Sequence, residues 1–180
     1  RQMCIRDSYY EEDLKIYLIS PLLNKIKFLN RDKEITGIFT GDLSAAHNMG
    51  CDVVKKLSMV PVKKPFDIVI TSNAGYPLDL NLYQSVKGMS AAAQIVREGG
   101  AIIVVAECWD GIPDHGSYGK ILMEAENVND LVEVIHKPNF YCQDQWQVQI
   151  QAQIQLKADV YVYSDNLTDA QIESAMLQPC

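Results

Sequence analysis

Short apolar runs and longer amphipathic stretches alternate along most of the chain. The runs Phe66–Ser72, residues 101–106 and Ala158–Tyr163 are continuous and rich in β-branched residues, as in strands buried on both faces. Stretches with helical spacing follow the first two runs, at residues 81–98 and at residues 120–137 with a break near Asn127. This order predicts an α/β fold in which helices flank a layered, mostly parallel sheet.

The N-terminal part of the chain has a different pattern. Residues 9–20 mix charged and apolar side chains and are predicted to form a helix. Further on, Ile26 and Phe28 alternate with lysines, the polar segment 30–33 follows, and residues 35–40 form another apolar run. Two short alternating runs joined by a polar turn predict a β-hairpin.

Three further segments complete the predicted pattern. The pair Gly99-Gly100 is expected to terminate the helix over residues 81–98. Glutamine stands at every second position of residues 145–155, which would suit a strand with one polar face. The length of the segment and the lack of turn residues favour a helix over residues 143–156. A last helix is predicted over residues 168–176.

Composition and charge narrow the class of protein. The chain has 180 residues, 48% of them hydrophobic, which suits one compact domain or one domain with part of another. Its net charge of −7 argues against nucleic acid or an anionic membrane as the main partner. No apolar run approaches the roughly 18 residues of a spanning helix, and no secretory signal is visible, so a cytoplasmic protein is expected.

Cysteines and histidines give little support to a metal site or to disulfides. The five cysteines are widely and irregularly spaced, which predicts reduced and mostly buried thiols. The three histidines are far apart in the sequence, and none of them pairs with another at metal-ligand spacing. We therefore expect no complete metal site within this chain.

The first candidate site is the long loop after Phe66–Ser72 and the helix that follows it. Asp79 or Asn81 can cap this helix, and Tyr83, Gln84 and Lys87 then share one helical face. A lysine near a helix N-terminus opposes the macrodipole unless an anion lies nearby, so the three side chains could hold a small carboxylate. The alternative is an exposed lysine beside a partly buried tyrosine.

The loop after residues 101–106 is a second candidate site. It contains four side chains capable of acid–base chemistry, namely Glu107, Asp110, Asp114 and His115. Gly111 and Gly116 suit the turns of an ordinary loop, so a purely structural role is the alternative. Trp146, at the start of the glutamine-rich segment, is expected either in the core or in the wall of a pocket.

The segment Gly41-Asp-Leu-Ser-Ala-Ala-His47 is the third candidate. Asp42 or Ser44 can cap a helix that runs to Leu57, and the free amides of its first turn could receive an anion. His47 could be a ligand or an acid, but a capping aspartate and a packed histidine explain the pattern equally well. The chain has no G-x-G-x-x-G, P-loop or G-x-S-x-G motif, so a dinucleotide fold has no support from motifs.

Taken together, these segments resemble the lactate racemase family, the nickel-pincer-nucleotide-dependent 2-hydroxyacid racemases. The most specific match is Gly75-Tyr-Pro-Leu-Asp79 followed by Tyr83-Gln-Ser-Val-Lys87. The segments 41–47, 99–111 and 144–164 also match, and the resemblance extends over roughly residues 26–176.

The resemblance implies an isomerase that interconverts the stereoisomers of a small 2-hydroxyacid. Its cofactor would be the nickel-pincer nucleotide, to which hydride passes from the substrate and from which it returns. The family's N-terminal domain supplies the paired histidines, the tethering lysine, the nickel ligand and most nucleotide contacts. The C-terminal domain closes over the cleft. Its substrate-binding residues match Tyr83, Gln84, Lys87 and, less closely, Trp146, with Lys87 and Gln84 also expected in the catalytic step.

The expected domain organisation follows from this resemblance. Residues 1–8 resemble the translation of a transposon adapter used in sequencing libraries, and are expected to be an artefact. Residues 9–24 would be a helical remnant or linker from a missing N-terminal domain, and residues 25–180 the C-terminal α/β domain, truncated at its end. Such a fragment is expected to be inactive, with the N-terminal domain of the same parent chain as its partner.

Two other interpretations remain open at the level of sequence. The chain could be a non-catalytic, small-anion-binding domain of the same fold, or an unrelated α/β interaction module. Upstream histidines and lysine would distinguish the racemase from the anion-binding protein. An interaction module predicts that Lys87→Ala leaves ligand binding unchanged.

Overall fold

The computed structural model describes residues 15–18, 25–29 and 34–180. The chain divides into two compact units, residues 1–62 and residues 63–180. The domain predicted over residues 25–180 therefore includes parts of both units, and each unit is described here by itself.

The first unit contains an antiparallel sheet and one helix. Strands β1 (Lys15–Leu18), β2 (Lys25–Leu29) and β3 (Ile35–Thr40) lie in the order β1-β2-β3, and helix α1 (Leu43–Ser58) packs on β2 and β3. The β2–β3 pair confirms the predicted hairpin. Its turn, residues 30–33, lies outside the described residues.

The helix predicted over residues 9–20 is wrong where the structure can be compared with it. Lys15–Leu18 is a strand that pairs antiparallel with β2, with Ile16 opposite Phe28. Ile16 and Tyr17 have high strand propensity, and β2 supplies the hydrogen-bonding partner that favours the strand. The rest of the predicted helix and of the linker over residues 9–24 lies outside the described residues.

The second unit is built on a four-stranded parallel sheet. Strands β4 (Phe66–Ser72), β5 (Val96–Val105), β6 (Ala158–Tyr163) and β7 (Gln178–Pro179) lie side by side in chain order. Together with the flanking helices, this sheet confirms the predicted α/β class. The short strand β7 was not predicted, because two residues carry no periodic signal.

Five helices connect or follow these strands. They are α2 (Leu82–Ala93), α3 (Tyr118–Leu122), α4 (Val128–His136), α5 (Gln145–Lys157) and α6 (Asp169–Ser174). The helices α3 and α4 confirm the predicted interruption near Asn127, whose side chain caps α4 by accepting from two backbone amides. Helix α5 confirms the helical interpretation of the glutamine-rich segment.

The core of the second unit lies between one face of the sheet and helices α2 and α5. Four fully or almost fully buried side chains cover that face of β5 and β6: Ile102, Val104, Val160 and Val162. They pack in one cluster with Val86 and Met89 of α2 and with Val148 of α5. The sheet thus places the start of α2 and the loops after β4 and β5 at its carboxyl edge, where ligands bind in folds of this class.

The end predicted for α2 is wrong by several residues. The helix stops at Ala93 and strand β5 starts at Val96, so the glycine pair lies inside the strand and terminates no helix. The pairing shifts here, since Phe66 is opposite Val96 but Ile68 is opposite Ala101. Gly100 is required at this bulge, because a Cβ there would lie 2.7 Å from the Asp67 carbonyl oxygen.

Side chains cap the N-termini of helices α1 and α6. Asp42 caps α1 by accepting a hydrogen bond from the Ala45 amide at 3.0 Å. Of the two predicted caps, Asp42 and Ser44, the structure therefore has Asp42. Thr168 and Gln171 form a reciprocal capping box at α6. The start of each helix was therefore readable from the sequence, because capping depends on neighbouring residues only.

The cysteines were predicted to be reduced and mostly buried. Cys51, Cys108, Cys142 and Cys180 are all free, but only Cys108 is buried, so the prediction of mostly buried thiols is wrong. Among the described residues, no helix is both long enough and apolar enough to cross a membrane.

Candidate functional site

Two loops at the carboxyl edge of the sheet are joined into one structure. The Cys108 amide donates to the Asp79 carbonyl at 3.0 Å, and the Asp110 amide donates to the Leu80 carbonyl at 2.9 Å. The Leu82 amide in turn donates to the Gly111 carbonyl at 3.0 Å. The loops after β4 and β5, predicted as two separate candidate sites, therefore hold each other in place at the start of α2.

Asp79 and Asn81 have different roles where the two loops meet the start of α2. Asn81 caps α2, since its Oδ1 accepts from the Gln84 amide at 3.1 Å, while its Nδ2 donates to Asp110 at 3.1 Å. Asp79 is 4% exposed and accepts from the Glu107 amide at 3.1 Å through Oδ2. Its Oδ1 is buried without a hydrogen-bond partner among the described residues. The capping residue is thus Asn81, and Asp79 links the two loops.

Tyr83, Gln84 and Lys87 occupy the first two turns of α2, as the sequence predicts. The Lys87 ammonium donates to Gln84 Oε1 at 2.7 Å, so the cation and the amide lie side by side. All three residues are partly buried. The arrangement gathers a cation, an amide with two N–H donors and a phenol on one helical face.

Trp146 lies beside this group. Its ring makes an edge-to-face contact with Tyr83, with centroids 6.1 Å apart, and Tyr83 makes a similar contact with Tyr118 at 5.5 Å. Trp146 is 46% exposed, so it lies at the surface and is not a core residue. The four predicted substrate-binding residues are therefore brought together by α2 and α5.

Sequence reasoning missed the buried amides that hold α5 against its neighbours. Gln147 is 1% exposed and donates to the Tyr83 carbonyl at 2.6 Å. Gln151 is fully buried, donates to the Ala175 carbonyl at 2.8 Å and accepts from the Tyr118 hydroxyl. Their spacing of four residues was a usable signal, but the alternating glutamines around them obscured it.

Burial also suppresses ionisation of two groups behind the site. Burial raises the pKa of the Tyr118 phenol, which therefore stays neutral and donates to Gln151. Burial likewise raises the pKa of the Cys108 thiol, more than its contact with the Ser85 hydroxyl at 3.4 Å lowers it. Both groups thus have structural positions and are poor candidates for acid–base chemistry at neutral pH.

The acidic side chains of the second loop are mostly exposed. His115 Nδ1 lies 3.9 Å from Asp114 Oδ1, and both side chains point largely into solvent. Asp110 accepts from Asn81, and the Glu107 carbonyl accepts from Ser164 at 2.6 Å. The contacts of Asp110 and Glu107 favour the structural alternative for this loop.

The third candidate site also has a structural explanation. At the start of α1, the Asp42 carboxylate accepts a hydrogen bond from the Ala45 amide. His47 lies one turn further along, where its ring nitrogens are 3.7 and 3.8 Å from the Cys51 sulfur. A capping aspartate and a packed histidine account for both residues. Among the described residues, no group of three or more His, Cys, Asp or Glu could hold a metal ion.

Comparison with known proteins agrees with this architecture. Residues 62–180 match the family model of the lactate racemase C-terminal domain. Lactate racemase from Lactiplantibacillus plantarum is 45% identical over 138 residues, which are 76% of this chain and 32% of the relative. Lactate racemase from Thermoanaerobacterium thermosaccharolyticum is 37% identical over 153 residues, which are 84% of this chain and 35% of the relative.

A solved structure gives the same result for the fold. The lactate racemase apoprotein from Thermoanaerobacterium thermosaccharolyticum superposes with a TM-score of 0.72 at 35% identity. The match covers 83% of this chain and 36% of that one. The chain therefore spans about a third of the length of the relatives it matches.

The parallel sheet, the joined loops and the polar face of α2 thus define an α/β domain with a candidate small-anion site at the carboxyl edge of its sheet. Because the family model matches residues 62–180 and the relatives are 37–45% identical, the chain belongs to the lactate racemase family.

Proposed function

We propose that this chain is the substrate-closing C-terminal domain of a lactate-type 2-hydroxyacid racemase. The observation that carries the proposal is the pairing of Lys87 with Gln84, on the helical face where Tyr83 packs against Trp146. A 2-hydroxyacid presents a carboxylate and a neighbouring hydroxyl, which need a cation and hydrogen-bond donors for a fixed pose.

Lys87 and Gln84 bind the substrate carboxylate in this proposal. Their contact at 2.7 Å orients the ammonium and the amide before the substrate arrives, so little side-chain entropy is lost on binding. The positive charge of Lys87 also stabilises negative charge that develops on substrate oxygens during the reaction. These two residues are therefore assigned to the catalytic step as well as to binding.

Tyr83 and Trp146 orient the substrate and limit access of water. The edge-to-face contact between their rings, and that between Tyr83 and Tyr118, fix the Tyr83 side chain. Trp146, half exposed in this chain, presents an apolar wall beside the polar pair. Exclusion of water strengthens the attraction between Lys87 and a carboxylate.

The cofactor is assigned to the rest of the parent protein. The described residues contain no cluster of three or more metal-ligating side chains, and Lys87, Gln84, Tyr83 and Trp146 are hydrogen-bonding and apolar groups. This donor set fits a carboxylate better than nickel. When bound, the nickel-pincer nucleotide would supply a hydride acceptor for the substrate α-carbon.

Replacement of Lys87 by alanine in the full-length parent tests the proposal. We expect racemase turnover to fall by at least about tenfold, because the carboxylate loses its cation. Turnover is measured by chiral chromatography of lactate, with circular dichroism as a check that the protein stays folded. The matched control is Lys137→Ala, at an exposed position at the end of α4, and it should leave turnover unchanged.

Two outcomes of that experiment would contradict the proposal. Full activity of the Lys87→Ala protein would show that Lys87 does not bind the substrate carboxylate. A parent that binds lactate through Lys87 but never racemises it would instead support a non-catalytic, small-anion-binding domain of the same fold.

A further inference from the structure

One face of the parallel sheet in the second unit is covered by helices α2 and α5, and no helix of the second unit covers the central strands on the other face, which we call the open face. On the open face, Ile70 is 71% exposed and Ile68 is 60% exposed, although both belong to strand β4. We define the open face by the alternate side chains that share it in the strand register. Its apolar and aromatic members are Ile68, Ile70, Ala101, Ile103, Val105, Tyr161 and Tyr163, and its polar members are Ser72, Asp159 and Gln178. Each of them is at least partly exposed.

The helices of the second unit do not account for this surface. Helix α2 packs on β4 and β5, and α5 packs on β5 and β6. The residues that they bury, Ile102 and Val104 among them, alternate with those of the open face. Sheets made only of parallel strands occur almost exclusively with both faces covered, usually by helices.

The chemistry of the open face points to a protein core and not to a solvated surface. Its centre is formed by branched aliphatic side chains from two adjacent strands, with Ile70 paired opposite Ile103. Its polar groups lie at its margins. Asp159 lies opposite Ala101, Ser72 lies opposite Val105 at the strand ends, and Gln178 belongs to the short strand β7. The Tyr163 hydroxyl donates to Asp165 at 3.2 Å. A contiguous apolar patch with polar ends is typical of an interface with another protein segment.

We propose that the open face is covered by an amphipathic helical segment from the part of the parent protein outside this chain. The inference rests on the proposed function, in which the parent is a racemase of the length of its relatives. This chain spans 32% and 35% of the two lactate racemases, so about two thirds of such a parent is available to supply the segment. The segment would present an apolar stripe to Ile68, Ile70 and Ile103, with polar residues near Asp159 and Tyr163.

Thiol labelling of an Ile70→Cys variant tests this placement. The variant is made in the full-length parent and in the 180-residue chain, and modification by a maleimide is followed by mass spectrometry of the peptide that contains position 70. We expect the introduced thiol to react at least about tenfold more slowly in the parent than in the 180-residue chain, because a packed segment must open first. Val105→Cys provides a second position if the first variant folds poorly.

The control is Tyr141→Cys, at a position that is 97% exposed in the loop between α4 and α5. This thiol should react quickly and at the same rate in both proteins. Equal and fast labelling at position 70 in both proteins would overturn the proposal.

Two further outcomes would also overturn it by identifying another occupant. Slow labelling of the 180-residue chain together with a dimeric mass on size-exclusion chromatography would assign the face to a second copy. Slow labelling in a monomer would assign it to residues of this chain. The test is independent of Lys87, so protection at position 70 can succeed where the activity experiment fails, and the reverse.

Discussion

Gln147 illustrates how single polar residues fix the candidate site. Its side chain is buried in α5, and its amide nitrogen donates to the Tyr83 carbonyl at 2.6 Å. This bond connects the helix that carries Trp146 to the helix that carries Tyr83. A buried amide that finds a partner contributes to stability, and it also fixes one position of the two helices, since any sliding would break the bond.

Replacement of Gln147 by leucine should therefore destabilise the second unit. We expect a loss of about 1 kcal/mol in the free energy of unfolding, because the hydrogen bond to the Tyr83 carbonyl is lost. Both tryptophans, Trp109 and Trp146, lie in this unit, so their fluorescence during urea denaturation reports on it. Gln153→Leu, at an exposed position of the same helix, should change stability by less than about 0.5 kcal/mol. Equal effects of the two substitutions would contradict this role for Gln147.

At the scale of elements, the position of α2 depends on a close approach to strand β4. A Cβ at Gly88 would lie 2.6 Å from the Ser72 carbonyl oxygen, a distance that real Cβ atoms essentially never show. The helix can therefore approach the end of β4 only with glycine at this position. The approach also sets the position of Lys87, the residue immediately before Gly88.

We expect Gly88→Ala to destabilise the protein by about 2 kcal/mol, because α2 must move away from β4. The sign is informative, since alanine in place of glycine inside a helix ordinarily stabilises by about 1 kcal/mol. The control is Ala91→Gly, at an exposed position of the same helix, which should cost about 1 kcal/mol. Urea denaturation of both variants checks the prediction, and a stabilised Gly88→Ala protein would contradict the close approach.

Some boundaries of the elements could be read from the sequence and others could not. Asp42, Asn127 and Thr168 start helices that were expected close to those positions, because a cap acts on amides two or three residues away. The end of α2 and the bulge at Gly99-Gly100 were misjudged. They depend on strand β4 and on the Asp67 carbonyl, which are distant in sequence and carry no local signal.

At the scale of the molecule, the substrate-binding residues of this chain form only part of an active site in our proposal. The pair of Lys87 and Gln84 offers donors for a carboxylate, while His47 and His115 are far apart in the sequence. We expect the acid–base pair of the reaction in the rest of the parent, because the resemblance to the family implies that the N-terminal domain supplies it.

We accordingly predict that the 180-residue chain does not racemise lactate on its own. Incubation of the purified chain with D- or L-lactate, followed by chiral chromatography, should show no conversion above a sample without protein. The full-length parent, loaded with cofactor, is the positive control. Conversion by the 180-residue chain would place the complete catalytic machinery within these residues and would contradict the proposed division.

The order of strands and helices in the second unit as far as α6, several helix caps and the shared face of Tyr83, Gln84 and Lys87 were all readable from the printed residues. These features depend on periodicity and on contacts within a turn or two, which the order of residues fixes directly. The strand Lys15–Leu18, the bulge in β5, the joined loops and the approach of Trp146 to Tyr83 were accessible from the folded molecule alone. Each of them joins segments far apart in the chain, and long-range packing selects among conformations that the local residues leave nearly equal in free energy.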